Sequence, residues 1–92
     1  MHYVYVLKGL KKEWVYIGCT DDLKARFGQH QKGKVLSTKP HRPFTLVYYE
    51  AYKNKTDARK RELELKNNSQ QKEFLYKRID NSLNVAPSSS LV

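Results

Sequence analysis

Cysteine is almost missing from this chain: Cys19 is the only one in 92 residues. A single cysteine excludes an intramolecular disulfide and a thiolate metal cage, and it suits a reducing compartment. The expected location is therefore cytoplasmic, or nucleoid-associated in a prokaryote. Long apolar runs are missing too: none approaches the roughly 18 residues that span a bilayer, so no membrane partner is expected. The first residues, Met1-His2-Tyr3-Val4-Tyr5-Val6-Leu7, lack the basic leader of a secretory signal. Acidic residues are few, nine Asp and Glu against eighteen Lys and Arg, for a formal net charge of +9. On a domain this small, that imbalance is the electrostatic footprint of a nucleic-acid binder. The competing explanations are a solvated basic surface or attraction to anionic lipid. The basic residues are spread over several segments, which favours a broad phosphate-facing surface over a flexible arm.

A chain of this length forms one core and cannot enclose a large cavity. Its active site should be a surface cleft or the open face of a sheet. Tyr3–Leu7 and Glu13–Cys19 are rich in β-branched and aromatic residues, and the short polar link Lys8–Lys12 joins them as an antiparallel hairpin. Thr20-Asp21-Asp22 supplies an N-cap for a first helix whose Leu23 and Phe27 form an apolar stripe, with Gly33 as its stop. Lys34–Pro43 reads as an ordered loop, and Phe44–Tyr52 as the third strand. Asn54–Asp57 caps a second helix, Ala58–Lys66. Asn68-Ser69 opens a third, Gln70 to about Ile79, with Phe74, Leu75 and Ile79 as its apolar side. The expected fold is α+β, a three-stranded antiparallel sheet flanked by helices in the order β-β-α-β-α-α. The domain covers residues 1–80, and the uncharged segment 81–92 reads as a disordered tail.

Several residues resist a purely structural explanation. On the second helix Ala58, Glu62 and Leu65 share one face, which places a carboxylate between two core residues. Such a group must be paired, hydrated or bound to metal. Arg59, Arg61 and Lys66 are its available partners, and Mg²⁺, which often takes only one or two carboxylates, is the alternative. On the first helix Arg26 and His30 adjoin the apolar stripe. An arginine there offers a fixed fork of donors for phosphate, or is simply a surface residue with a buried stem; the ordinary role of a lone His30 is packing or capping. Tyr5 and Tyr16 present their hydroxyls together if the two hairpin faces coincide, and Gly18 would then leave backbone open to a ligand. Taken alone, both tyrosines are ordinary sheet packing. Cys19 precedes a helix N-terminus but has no orienting partner, so covalent thiol chemistry is set aside.

Taken in order, these residues resemble the GIY-YIG nuclease family, and most of all its small stand-alone branch, related to the nuclease half of the bacterial excision-repair incision subunit. Tyr3-Val4-Tyr5 stands for the first half-motif, with Tyr3 where the family has glycine. Tyr16-Ile17-Gly18 matches the second. Asp22-Leu23-Lys24-Ala25-Arg26-Phe27 carries the family's arginine, and His30 stands where the family commonly has His or Tyr. Arg42-Pro43 before Leu46-Val47-Tyr48 resembles the lead into its third strand, and Glu62 matches the metal-binding glutamate. The likeness covers about residues 2–80.

The resemblance implies a hydrolase: a metal-dependent endonuclease that leaves 5′-phosphate and 3′-hydroxyl ends, selective for structure or context, in DNA repair or recombination. Glu62 would hold one Mg²⁺ or Mn²⁺, Arg26 would bind non-bridging phosphate oxygens, and Tyr16, with Tyr5 assisting or sharing the role, would take the proton of the attacking water. His30 would hydrogen-bond a tyrosine or a phosphate. Lys24, Lys32, Lys34, Lys39, Arg42 and Lys66 are candidate phosphate contacts that give salt-sensitive affinity without base choice. The partner is nucleic acid, DNA ahead of RNA. The chain would act as a monomer or weak dimer, with a protein partner able to supply targeting. The rival reading is a catalytically inactive nucleic-acid-binding module on the same fold, to which the missing glycine at Tyr3 and the small size point.

Overall fold

The computed structural model describes residues 1–84. The elements run β1 (His2–Gly9), β2 (Val15–Thr20), α1 (Leu23–Gln31), a 3-10 turn (Lys39–His41), β3 (Phe44–Tyr52), α2 (Lys55–Asn67), α3 (Ser69–Arg78) and α4 (Asp80–Leu83). The strands form one antiparallel sheet in the order β2-β1-β3. The fold is α+β in the anticipated order, with α4 added at the end.

The central strand β1 is apolar on both faces because both are covered. Val4 and Val6 meet Ile17 and the helical residues Ala58, Leu65, Leu75 and Ile79 on one side. Tyr5 and Leu7 meet Phe44 and the α1 residues Leu23 and Phe27 on the other. Helices α2 and α3 therefore cover one face of the sheet and α1 the opposite one. Caps fix where each helix begins. Asp22 accepts from the Ala25 N–H at 3.0 Å, Asn54 from Thr56 at 2.8 Å, and Asn68 from Gln70 and Gln71 at 3.0 and 3.1 Å. Gly33, at φ 76°, follows the α1 C-cap in the left-handed region, as its choice for a stop requires.

The structure departs from the sequence reading at several points; β1 and α2 begin earlier and end later than expected, at His2–Gly9 and Lys55–Asn67. Strand β2 begins at Val15, not Glu13, because the Gly9 N–H bonds the Trp14 carbonyl at 2.8 Å and closes the hairpin there. The Trp14 ring turns aside to stack on His41, with centroids 3.8 Å apart. On α3, Leu75 and Ile79 are buried as expected, but Phe74 is 53% exposed. It lies about 100° around the helix from Leu75, and α3 turns Leu75 to the core. Residues 81–84, assigned to the tail, belong to α4 and its C-cap. The rest of that segment lies outside the described residues.

A polar clamp that the sequence reading missed sits between β3, α2 and α3. Glu50 accepts from the Tyr48 phenol at 2.6 Å and also from the Tyr52 phenol. The Arg61 fork reaches it through Nε and Nη2, each at 3.0 Å, and Arg61 Nη1 donates to Glu64 at 2.6 Å. Burial alone would raise the Glu50 carboxyl, but Arg61 and the two phenols outweigh burial and hold it below its ordinary value. Arg61→Lys keeps the charge and loses the planar fork. It should lower unfolding free energy by about 1–2 kcal/mol in urea titration.

Candidate active site

Strand register decides which hairpin residues meet. Tyr5 lies opposite Gly18 and Leu7 opposite Tyr16, so both tyrosines project from the α1 face. Their ring centroids are 6.2 Å apart. Gly18 has a different job from the one expected of it. A Cβ at this position would stand 2.4 Å from the Tyr5 hydroxyl oxygen and 2.9 Å from the Tyr16 ring. The space above Gly18 is filled by the Tyr5 phenol, so no ligand approaches the backbone there.

Helix α1 lowers His30 onto this pair. His30 is 0% exposed, deeper than the helix edge foreseen for it. Its Nε2 lies 2.8 Å from the Tyr5 hydroxyl and its Nδ1 2.8 Å from Thr38 Oγ1. Thr38, itself buried, donates its proton to the Val35 carbonyl at 3.3 Å. Its oxygen must then accept from Nδ1–H, which leaves Nε2 to accept from the Tyr5 phenol. Nothing in the pattern of the Lys34–Pro43 loop marked Thr38, because its partner is distant in sequence.

Burial favours the neutral form of both titratable groups in this chain of bonds. Burial pushes the Tyr5 phenol up to about 12, against a lowering by the neighbouring Arg26 guanidinium; Tyr16 and Glu62 add to the rise. Burial, reinforced by Arg26, pushes His30 down to about 4. A folded-state value below the unfolded one means stability that is complete above about pH 6.5. It is lost as pH falls toward 4, because the unfolded chain takes up the proton first. Melting temperature should therefore decline between pH 6.5 and 4, with about 2–3 kcal/mol lost, and His30→Gln should flatten that dependence. Thermal unfolding monitored by circular dichroism at stepped pH measures both.

Arg26 and Glu62 approach from different helices. Arg26 is half-buried on α1, and its Nη1 donates to Gln29 at 3.0 Å. It lines a cleft of about 650 Å³ with Cys19, Asp22, Lys55 and Arg59, where the end of β2 meets the N-terminal ends of α1 and α2. On α2, Ala58, Glu62 and Leu65 are all buried, Glu62 at 4% exposure. Glu62 accepts from Arg59 Nη1 at 2.8 Å and from Lys66 Nζ at 3.1 Å. Arg61, the third available partner, is taken by Glu50. Arg59 thus ties Glu62 to the cleft that Arg26 lines, while the Lys66 ammonium lies 5.6 Å from the centre of the Tyr16 ring. The Cys19 thiol is raised by burial and then by Glu62, the reverse of an activated nucleophile.

Among the described residues no group of three or more His, Cys, Asp or Glu side chains gathers to hold a metal. Glu62 offers a buried carboxylate beside the cleft, whose own lining adds Asp21 and Asp22. The two cationic partners of Glu62 are exposed side chains, Arg59 at 63% and Lys66 at 40%. That donor set fits an ion of the Mg²⁺ or Mn²⁺ type bound by one carboxylate, with phosphate and water completing its shell. Of the candidate phosphate contacts, Lys24, Lys32, Lys34, Lys39, Arg42 and Lys66 are all exposed. Arg42 is folded over Gly33, its Nε donating to the Lys39 carbonyl at 3.0 Å. Lys55 and Arg59 also line the cleft; the sequence named Arg59 only as a partner for Glu62 and did not mark Lys55, because position in α2 relative to β2 is what brings them there. No helix among the described residues is long and apolar enough to cross a membrane.

Comparison with known proteins identifies the family. The family described as the GIY-YIG catalytic domain matches residues 1–77. A UPF0213 protein of Staphylococcus haemolyticus is 41% identical over 74 residues, covering 79% of this chain and 89% of the relative. A UPF0213 protein of Staphylococcus aureus is 40% identical over the same shares. A solution NMR structure of a UPF0213 protein from Bacillus halodurans is 30% identical, covers 95% of this chain and 88% of that one, and superposes with a TM-score of 0.49. The family model spans most of the chain and relatives of about 40% identity match along nearly their whole length, so the chain belongs to the GIY-YIG family, a family of nucleases.

Proposed function

We propose that this protein is a metal-dependent endonuclease that hydrolyses DNA phosphodiester bonds with preference for structure or context, in DNA repair or recombination. The observation that carries the reading is the division of labour between the two tyrosines. Tyr5 is 1% exposed, its proton engaged by His30. Tyr16 is only half-buried and stands beside it with Lys66 over its ring.

Tyr16 acts as the base, taking a proton from the attacking water. Tyr5 holds the Tyr16 ring in place from below and does not titrate at working pH. The water oxygen attacks phosphorus, the bond to the 3′-oxygen breaks, and that oxygen takes a proton from solvent, giving a 5′-phosphate and a 3′-hydroxyl. Arg26 binds the non-bridging oxygens, its hold tightening as negative charge grows on them. Glu62 would hold the one Mg²⁺ or Mn²⁺, which when bound supplies positive charge to the scissile phosphate and leaving oxygen. The exposed lysines and arginines bind backbone without reading bases, so affinity should fall steeply with salt.

The test is nicking of supercoiled plasmid by the pure protein with Mg²⁺ or Mn²⁺ and with chelator, followed by mapping of the cut ends. Metal-dependent nicks with 5′-phosphate ends support the reading. Protein that binds labelled branched, nicked and duplex DNA but cuts none of them would mark it as a binding module instead.

A further inference from the structure

The proposed metal ligand is already fully engaged by its own helix. Glu62 uses one carboxylate oxygen for Arg59 and the other for Lys66, at 2.8 and 3.1 Å. A carboxylate only 4% exposed needs such compensation, because stripping it of water without a partner costs several kcal/mol. Both cations are also suited to leave. Their side chains are exposed: Arg59 lines the cleft with Arg26 and Lys55, and Lys66 stands 5.6 Å from the centre of the Tyr16 ring. Two positive charges on the carboxylate and a divalent ion on the same oxygens exclude one another by repulsion and by space.

We propose that Arg59 and Lys66 form a cation lock on Glu62, opened by the substrate: backbone phosphates draw the two side chains away, and the freed carboxylate then accepts the metal. Nucleic acid and metal consequently bind with positive coupling, and the protein alone holds metal weakly. Arg59 becomes a substrate-binding residue as well as a guard. The inference rests on Glu62 being the metal ligand, and its test separates the two ideas.

Mn²⁺ is titrated into metal-free protein without nucleic acid, and the unbound ion is read by electron paramagnetic resonance. Arg59→Gln/Lys66→Gln should bind Mn²⁺ roughly tenfold or more tightly than the wild type, as loss of two adjacent positive charges requires. The exposed pair Lys53→Gln/Lys60→Gln removes equal charge elsewhere and should change it far less. Arg59→Gln alone, which leaves Lys66 to compensate Glu62, serves if the double variant does not fold, and should show a smaller gain of the same sign. In chelator, fluorescence anisotropy should show the double variant binding labelled duplex DNA about tenfold more weakly, since two phosphate contacts are lost. A gain no larger than that of the control pair, or unchanged DNA affinity, overturns the lock. If Glu62→Gln leaves Mn²⁺ binding of the wild type and the double variant unaltered, Glu62 is not the ligand, and the catalytic reading itself falls.

Discussion

Arg26→Ala and Glu62→Gln should each slow metal-dependent nicking by about 10²–10³-fold, the cost of removing one group that stabilises charge developing in a transition state. Their effects on folding should differ from their effects on rate. Glu62→Gln abolishes a buried charge, and the two cations it releases are exposed side chains that water can solvate. Melting temperature should therefore hold or rise slightly, since replacing a buried ion pair is often neutral or stabilising. Arg26→Ala loses one hydrogen bond to an exposed glutamine and should cost less than about 1 kcal/mol. Single-turnover nicking and thermal unfolding on the same samples check the pair. Full activity in a well-folded Glu62→Gln protein would remove this residue from the chemistry.

Gly18→Ala carries the second large effect, through position and not through any functional group. The added methyl would sit 2.4 Å from the Tyr5 hydroxyl and 2.5 Å from its ring carbon Cζ. Neither can yield cheaply. Tyr5 is among the largest fully buried side chains, and its hydroxyl is bonded to an equally buried His30. Overpacking plus a broken buried hydrogen bond should together cost about 3 kcal/mol or more. The displaced phenol would press on Tyr16, so nicking should fall even at temperatures where the variant stays folded. Tyr5→Phe in the Gly18→Ala background removes the oxygen that clashes most. It should restore part of the stability, whereas Tyr5→Phe alone should destabilise by leaving His30 Nε2 without a donor. Urea unfolding of the four proteins forms a double-mutant cycle that measures this coupling.

The parts of this architecture that were readable in the chain are those set by local rules. Asp22, Asn54 and Asn68 cap helices because short polar side chains before an apolar stripe do so wherever they occur. The stripe of Ala58, Glu62 and Leu65 follows from helical period alone, and so did the puzzle of a carboxylate among core residues. What stayed hidden depends on which segment packs on which. Glu50 carried no signal within its strand; its role depends on Arg61 and two tyrosines closing around it. Thr38 gave no sign of carrying the far end of a histidine relay, since the bond spans α1 and the following loop. Gly18 was read as an opening because strand alternation says which face a residue is on, not what fills the space above it. Phe74 was placed inside because an apolar side chain one position before the i, i+4 pair Leu75 and Ile79 cannot be oriented without knowing where the sheet lies.

The strand order also sets a schedule for synthesis. β1 is made first, yet one of its two neighbours, β3, comes only with residues 44–52. An isolated hairpin is marginal in water, so the opening strands gain a durable home only once β3 has left the ribosome. Glu62 emerges later still, on the next helix. A nascent chain interrupted before that point carries the tyrosines and the arginine but lacks the carboxylate proposed to hold the metal.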